Sequence, residues 1–346
     1  MRKKVFLASL TRFFLPVILA IESSCDETSV AVIEDGRVLS NIIANQTIHY
    51  EYGGVVPELA SRAHQENIVP ATTRALEYAG KSLEDLDAVG ITIGPGLLGS
   101  LLVGVSFAKS LAYSLSLPLI QVNHMQAHVL AHFAEPPYPS FPFICLTVSG
   151  GHTQIVLVRS PAQMEVVGET LDDAAGEAFD KAGKIFGLGY PAGPLIDRHA
   201  KNHPPEIHFP HPQVPGLNFS FSGLKTAVLY HVQQHTAQNP DYVTKHIGVL
   251  CASLQQTIIS ILMKKLVQAA KELNIRHVAI AGGVSANSGL RQALQDAGIQ
   301  HGWETFIPKF EYCTDNAAMI GIAAHFKYQN GDFSSLDITP SSRLPF

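Results

Sequence analysis

The chain has 346 residues, 46% of them hydrophobic and 27 of them glycine, enough to fill one large or two medium cores. Its 24 Lys and Arg against 29 Asp and Glu leave a formal charge of -5, which excludes a protein that binds nucleic acid through a globally basic surface. The four scattered cysteines, Cys25, Cys145, Cys251 and Cys313, show no C-x-x-C spacing, which excludes a disulfide framework and fits reduced thiols in a cytosol.

Arg2-Lys3-Lys4 ahead of apolar runs at 5–10 and 13–20 imitates a secretory leader. Arg12 interrupts the run, and cleavage after Ala20 would cut the strand that delivers Glu22 and Asp26 to the first turn. Residues 1–16 therefore read as an N-terminal extension, and the chain as cytoplasmic. A strand at 17–21, a turn rich in hydroxyls and acids at 22–28, and strands at 29–33 and 38–44 joined by Asp35-Gly36 follow. Pro57 suits the first position of a helix running to about Ala79, with a break expected at Pro70. A strand at 88–93 enters Gly94-Pro95-Gly96-Leu97-Leu98-Gly99 and an apolar stretch to Ile120. Gly99, Gly104, Ser106, Lys109 and Ser110 make that stretch a glycine-rich helix packed in an α/β domain rather than a membrane span. A short strand at 119–122 leads into Asn123-His124-Met125-Gln126-Ala127-His128, with helical character on to Phe133.

The proline-dense loop 135–142 marks a boundary between a first domain, 17–138, and a second, 139–314, with a terminal helix at 315–330 able to rejoin the first. Past the loop the opening pattern returns as a strand at 143–148, the turn Ser149-Gly150-Gly151-His152-Thr153, and strands at 154–158 and 164–168, which points to a duplication. Asp172, Asp173 and Glu177 fit the first turn of a helix reaching about Phe186. Helical stretches at 196–200 and 222–231 and a long amphipathic helix at 244–273 come next. A strand at 277–280 then ends in Ala281-Gly282-Gly283-Val284-Ser285-Ala286-Asn287, a helix follows at 288–297, and the last helix begins at Asp315.

His124 and His128, four residues apart on a helix, project from one face about one turn apart, so both imidazoles can reach one cation. Among 16 histidines such a pair also arises by chance, and the Cys313-Thr314-Asp315-Asn316 run and the Ser/Gly turns strengthen the metal reading. Turns without side chains let phosphate oxygens approach amide N–H groups, and the one at Gly282 lies between a strand and a helix, where doubly wound proteins bind nucleotides. Neither turn matches a Walker or dinucleotide fingerprint, and each taken singly is a tight turn. Paired at the starts of strand-rich repeats, they favour a nucleotide clasped in an interdomain cleft.

I-E-S-S-C-D-E-T from Ile21, G-G-V-V-P-E-L-A-S-R from Gly53, G-P-G-L-L-G-S-L-L-V-G from Gly94, N-H-M-Q-A-H from Asn123, S-G-G-H-T from Ser149, D-D-A-A-G-E-A-F-D-K from Asp172, N-F-S-F-S-G-L-K-T from Asn218, A-G-G-V-S-A-N from Ala281 and C-T-D-N-A-A-M from Cys313 together carry a resemblance. The chain resembles the bacterial TsaD family, also called Gcp or YgjD, the tRNA N6-adenosine threonylcarbamoyltransferases. The resemblance implies an α/β fold of two related actin-like (ASKHA, RNase H-like) ATPase domains with a cleft between them. It implies one divalent cation per subunit, Fe2+ ahead of Zn2+, on His124, His128 and Asp315, and Mg2+ where a nucleotide binds. Substrate-binding positions carried over are Thr147, Val148, Ser149, Gly150, Gly151, Asp180, Gly193 and Asn287. The implied donor is threonylcarbamoyl-AMP, supplied by a TsaC-type synthase, and the implied acceptor is N6 of adenosine 37 in tRNAs that read ANN codons. Implied partners are a TsaB-like paralogue and a TsaE-like ATPase, with no membrane.

Three departures stand out: the extension before Val17, Ser23 where Thr is usual, and Ala192 in a loop more often written Y-P-G-G. Asp26 and Glu27, on the first turn facing the same cleft, are expected near the phosphate or as proton acceptors from the amine. Lys181, Lys184, Arg198, Lys201 and Lys225 could offer part of a tRNA-facing surface. Two other classes compete. A zinc metalloprotease would need H-E-x-x-H, and Met125 and Gln126 occupy the intervening positions. An ATPase or small-molecule kinase of the same fold, or a nucleotide-binding scaffold, needs no His/His/Asp set.

Overall fold

The structure, a computed structural model, describes residues 15–346. The expected N-terminal extension and the rejected leader thus lie almost wholly outside the described residues.

β1 (Val17–Glu22), β2 (Thr28–Glu34) and β3 (Arg37–Ala44) form an antiparallel meander, and β4 (Ala88–Gly94) and β5 (Leu119–Asn123) extend it in parallel on the other side of β1, in the order β3-β2-β1-β4-β5. Every residue of β1 and β4 is buried. That continuous apolar reading, without alternation, signals a sheet covered on both faces. The period of two sorts the side chains: Leu19, Ile21, Val30 and Val32 face α2 (Pro57–Ala79) and α3 (Leu98–Leu115), after a single-turn α1 (His49–Tyr52). Ile18, Ala20, Ala31 and Ile33 face α10 (Ala317–Gln329), which arrives from the far end of the chain. Its small residues let it sit close, since a Cβ on Gly321 would lie 2.2 Å from Cγ1 of Ile33.

The second sheet repeats this topology. β6 (Phe143–Val148), β7 (Thr153–Ser160) and β8 (Gln163–Glu169) are the meander, and β9 (His277–Ala281) and the three-residue β10 (Glu304–Phe306) run parallel to β6, in the order β10-β9-β6-β7-β8. α5 (Ala175–Ile185), α6 (Ala192–Ala200), α7 (Ser222–Thr236), α8 (Tyr242–Glu272) and α9 (Ser288–His301) build the core on one face. The other face, Phe143, Cys145, Val156, Val158 and Ala279, meets Val129 of α4 (His124–Leu130). Ala127 and Leu130 of the same seven-residue helix pack into the first core. α4 is therefore wedged between the lobes.

Three sequence expectations are corrected and one strand is added. Pro70 does not break α2, which is continuous. Both Pro70 and Glu66, whose carbonyl loses its partner, lie on the exposed face, where water can substitute. Asp172 and Asp173 precede α5 instead of opening it. Asp172 accepts hydrogen bonds from Phe221 N (2.7 Å) and Ser222 N (3.2 Å) and so anchors the start of α7. Asp315 lies in the turn ahead of the last helix, whose cap is Asn316, Oδ1 accepting from Met319 N at 3.0 Å. β10 was not anticipated, because three residues are too few for a periodic signal. Among the described residues α3 and α8 are long and apolar enough to cross a membrane. Of the α8 window 61% is buried within the protein, and α3 lays Ser100, Leu101, Gly104, Val105, Ala108 and Ala112 against its neighbours.

His132, just past α4, is fully enclosed, with Nε2 donating to Ile280 O across the lobes at 3.0 Å. Burial, only partly offset by that bond, pushes its pKa down to about 4. The folded ring stays neutral while the unfolded one takes a proton below its ordinary value near 6.5, so this group withdraws stability as pH falls through that interval. His132→Gln, which keeps the donor to Ile280, is expected to remove ~3 kcal/mol of the loss between pH 6.5 and 4, measured by urea denaturation at several pH values.

Candidate metal centre and interlobe cleft

Asn123 ends β5 and caps α4, its Oδ1 accepting from Met125 N (2.9 Å) and Gln126 N (3.2 Å). His124 and His128 thus leave the first turns of a fixed helix, their rings edge to face with centroids 4.7 Å apart. Asp315 enters from the opposite end of the chain. Its Oδ1 lies 3.1 Å from His128 Nε2 and 3.4 Å from His124 Nε2, and the three ligand atoms fall within 4.8 Å of one another. Sequence spacing pairs the histidines, and the fold supplies the third donor.

Glu22, at the end of β1, completes the array. It is fully buried, accepts from Ser24 N (2.5 Å) and Thr92 Oγ1 (2.6 Å), and stands 3.2 Å from His124 Nδ1. A carboxylate on Nδ1 fixes the ring and leaves Nε2 aimed at the centre, the usual support of a metal-binding histidine. Nδ1 of His128 is buried without a hydrogen-bond partner, so that ring is held by α4 and its Nε2 contact alone. Burial works against charge on both His124 and Asp315, yet mutual attraction wins. Facing Asp315 and Glu22, His124 is pushed up to about 9, and Asp315, beside His124 and His128, is held down at about 2. Glu22 is likewise lowered by His124 in spite of its burial.

The acidic turn after β1 is pinned from α2, with His64 Nε2 donating to Cys25 O (2.9 Å) and Nδ1 accepting from Thr28 Oγ1 (2.7 Å). Glu27 in this turn is raised well above the carboxylate range by burial and by the nearby charges of Asp315 and Asp26. Across the cleft, burial and the carboxylates of Asp26 and Asp180 raise Tyr190. The acidic turn thus lies close enough to Tyr190 of the second lobe for Asp26 and Glu27 to act on it. There Asp180 accepts from Ala192 N at 2.8 Å and from Gly193 N, so two predicted positions form one cap at the start of α6. Burial raises its pKa.

The two glycine turns lie at the same end of neighbouring parallel strands, outside the carboxyl ends where open α/β sheets bind ligands. A Cβ on Gly282, at φ +84°, would sit 2.4 Å from Val148 O, and one on Gly176 would sit 2.5 Å from Ser149 O. Gly150 and Gly151 have open space where side chains would be. Thr147 and Val148 are fully buried in β6, and Ser149 N donates to His152 O at 2.8 Å, so the open part of this turn is Gly150 and Gly151. Asn287 is committed to the protein, its Oδ1 capping α9 at Leu290 N (3.0 Å) and its Nδ2 donating to Gln255 Oε1 (2.8 Å). Lys181 is tied to Asp173 (2.6 Å) and Glu177 (2.8 Å) and is not a free cation for RNA. Sequence reading missed Glu22 and His152. An acid closing a five-residue apolar strand is the only trace of the first. The second is lowered by burial and by His124 and His128 nearby.

Two lobes of one topology around a cleft define the actin-like, ASKHA-type fold. Full-length HypF in its phosphate- and nucleotide-bound form matches with TM-score 0.62 at 14% identity, covering 92% of this chain and 47% of HypF. The ROK hexokinase of Thermus thermophilus matches with TM-score 0.50 at 16% identity, covering 91% of this chain and all of the hexokinase. These likenesses concern the fold alone.

The TsaD family model, described as tRNA N6-adenosine threonylcarbamoyltransferase, matches residues 37–322. Relatives carrying that name are 60% identical in Christiangramia forsetii, over 95% of this chain and 98% of the relative, and 57% identical in Porphyromonas gingivalis, again over 95% and 98%. Another from Caldicellulosiruptor bescii is 49% identical over 92% of this chain and 95% of the relative. The chain belongs to the TsaD family of tRNA-modifying acyltransferases.

Gly282→Ala forces a left-handed backbone on alanine and drives its methyl into Val148 O. It is expected to destabilise the protein by about 2 kcal/mol or more and to shift the Ser149 turn, checked by denaturant midpoint and by transferase assay.

Proposed function

We propose that this cleft transfers the threonylcarbamoyl group from threonylcarbamoyl-AMP to N6 of adenosine 37 in tRNA, with a divalent cation held by His124 Nε2, His128 Nε2 and Asp315 Oδ1. The convergence of those three atoms at the junction of the lobes carries the reading. Two imidazoles and one carboxylate suit Fe2+ or Zn2+, Fe2+ being the first choice, and leave positions for a substrate oxygen. When bound, the cation supplies charge stabilisation at the attacked carbonyl.

The remaining roles fall to the chain itself. The Thr147–Gly151 turn receives anionic oxygens of the donor, Gly150 and Gly151 through their backbone amides, with the Gly282 turn beside them. Asp180, with the Gly193 amide it holds, marks the ribose side, and Asn287 acts by shaping the start of α9. As N6 bonds to the carbonyl carbon and the carbonyl–phosphate C–O bond breaks to release AMP, Asp26 accepts the proton that the adenosine amine loses. Glu27, on the same turn, acts near the donor phosphate or as the alternative proton acceptor. Mg2+ accompanies a nucleotide where one binds. The net acidity fits work alongside TsaB-like and TsaE-like partners in the cytoplasm, with a TsaC-type synthase making the donor and no membrane involved.

Reconstitution with unmodified tRNA, threonine, bicarbonate, ATP and the partner proteins, followed by nucleoside analysis, is expected to yield the threonylcarbamoyl adenosine. His124→Ala is expected to give none while its circular dichroism is unchanged; product at the wild-type rate would remove the metal from the mechanism. Asp26→Asn is expected to lower kcat by ~100-fold, and full activity would make the acidic turn a solvated surface.

A further inference from the structure

The segment after α10 does not trail into solvent. It returns over the first lobe, with Ser334 N donating to Leu119 O (2.8 Å) and Ser334 Oγ accepting from Gln121 N (3.0 Å) along β5. Lys109 Nζ of α3 donates to Ile338 O at 3.1 Å. Ser341 N then donates to Ile93 O (2.8 Å) and Ser342 O accepts from Gly96 N (3.3 Å), so the strand crosses the end of β4. Gly94 makes room for it, since a Cβ there would lie 2.0 Å from Ser341 O and 3.3 Å from Leu344 Cβ. Leu344 packs on the first core, and Phe346 packs on the interlobe cluster that contains Val129 of α4. Between these two anchors, Pro345 O accepts from Asn123 Nδ2 at 2.7 Å.

Asn123 is the cap of α4 and the residue before His124. Its side chain has two ends with separate duties, Oδ1 holding the helix start and Nδ2 held by Pro345. An Asn amide gripped at both ends has no freedom to rotate, so the start of α4, besides its packing between the lobes, is tied through Asn123 to Pro345.

We propose that residues 341–346 form a strap that sets the position of α4 through Asn123, and hence the spacing of His124 and His128 from Asp315. This rests on the metal reading above. The strap touches no ligand itself. Asn123 is a positioning residue, and the strap ties both lobes to the helix that carries the histidines.

The test measures Zn2+ affinity of the metal-stripped full chain by chelator competition, beside the melting temperature of the metal-free form, in four variants. Removal of residues 341–346 and Asn123→Ser, which keeps a capping oxygen but loses the donor to Pro345, are each expected to weaken Zn2+ binding about tenfold. Combined, they are expected to weaken it no further than the stronger single change, because both break the same contact. His124→Ala is expected to lose binding altogether. If both the truncation and Asn123→Ser melt lower but bind Zn2+ within about twofold of the parent, while His124→Ala does not bind, the strap is only a stabilising tail and the proposal falls. Additive losses in the double variant also overturn it. Wild-type affinity in His124→Ala overturns the metal reading itself, and the strap with it.

Discussion

The structure depends on α4 being buried from two sides at once. Seven residues are too few for a helix to hold itself in water, and α4 persists because Ala127 and Leu130 fill the core of one lobe while Val129 fills the face of the other. Burial that close on both sides leaves no room for rotation about the helix axis. The imidazoles on the remaining face are therefore directed with the precision of a packed core, which is what convergence on one point requires. Apolar packing here sets the geometry of a polar site.

The polar site in turn is a balance of opposed terms. Glu22 and His124 are taken out of water and Asp315 is largely shielded from it, and this shielding works against charge on each. Their alternation, carboxylate, imidazole, carboxylate, reverses that outcome. The hydrogen bonds from Ser24 and Thr92 to Glu22 satisfy the carboxylate oxygens that the imidazole does not reach. A centre built this way holds positive charge between its carboxylates whether a proton or a cation provides it.

The lobes were legible because both sheets open with uninterrupted apolar strands followed by polar turns, and the period of two carried through to the faces seen in the cores. His124 and His128 were legible because helical spacing is local. Asp315 was not legible from spacing, since 187 residues separate it from His128 and only the fold closes that distance. Glu22 was hidden for the same reason, as its partners Thr92 and His124 lie on other elements. Asn287 and Asp180 illustrate another limit. A polar residue at a helix start reads equally as a ligand contact or as a cap, and here the described hydrogen bonds of both side chains are caps or protein contacts. The expected break at Pro70 failed because a missing backbone donor matters little on a face open to water.

The route of α10 bears on how the chain can be made. The first sheet has one face, including Ile18, Ala20, Ala31 and Ile33, whose cover comes largely from residues 317–329, translated after the whole second lobe. Until residues 317–329 have been translated, that face lacks most of its cover and Asp315 has not yet emerged. The opening lobe must therefore wait through synthesis of the entire closing one with sticky surface on view, a state that invites holdase chaperones and makes premature termination products prone to aggregate. An enzyme whose first half is finished by its last helix cannot begin work as a nascent chain.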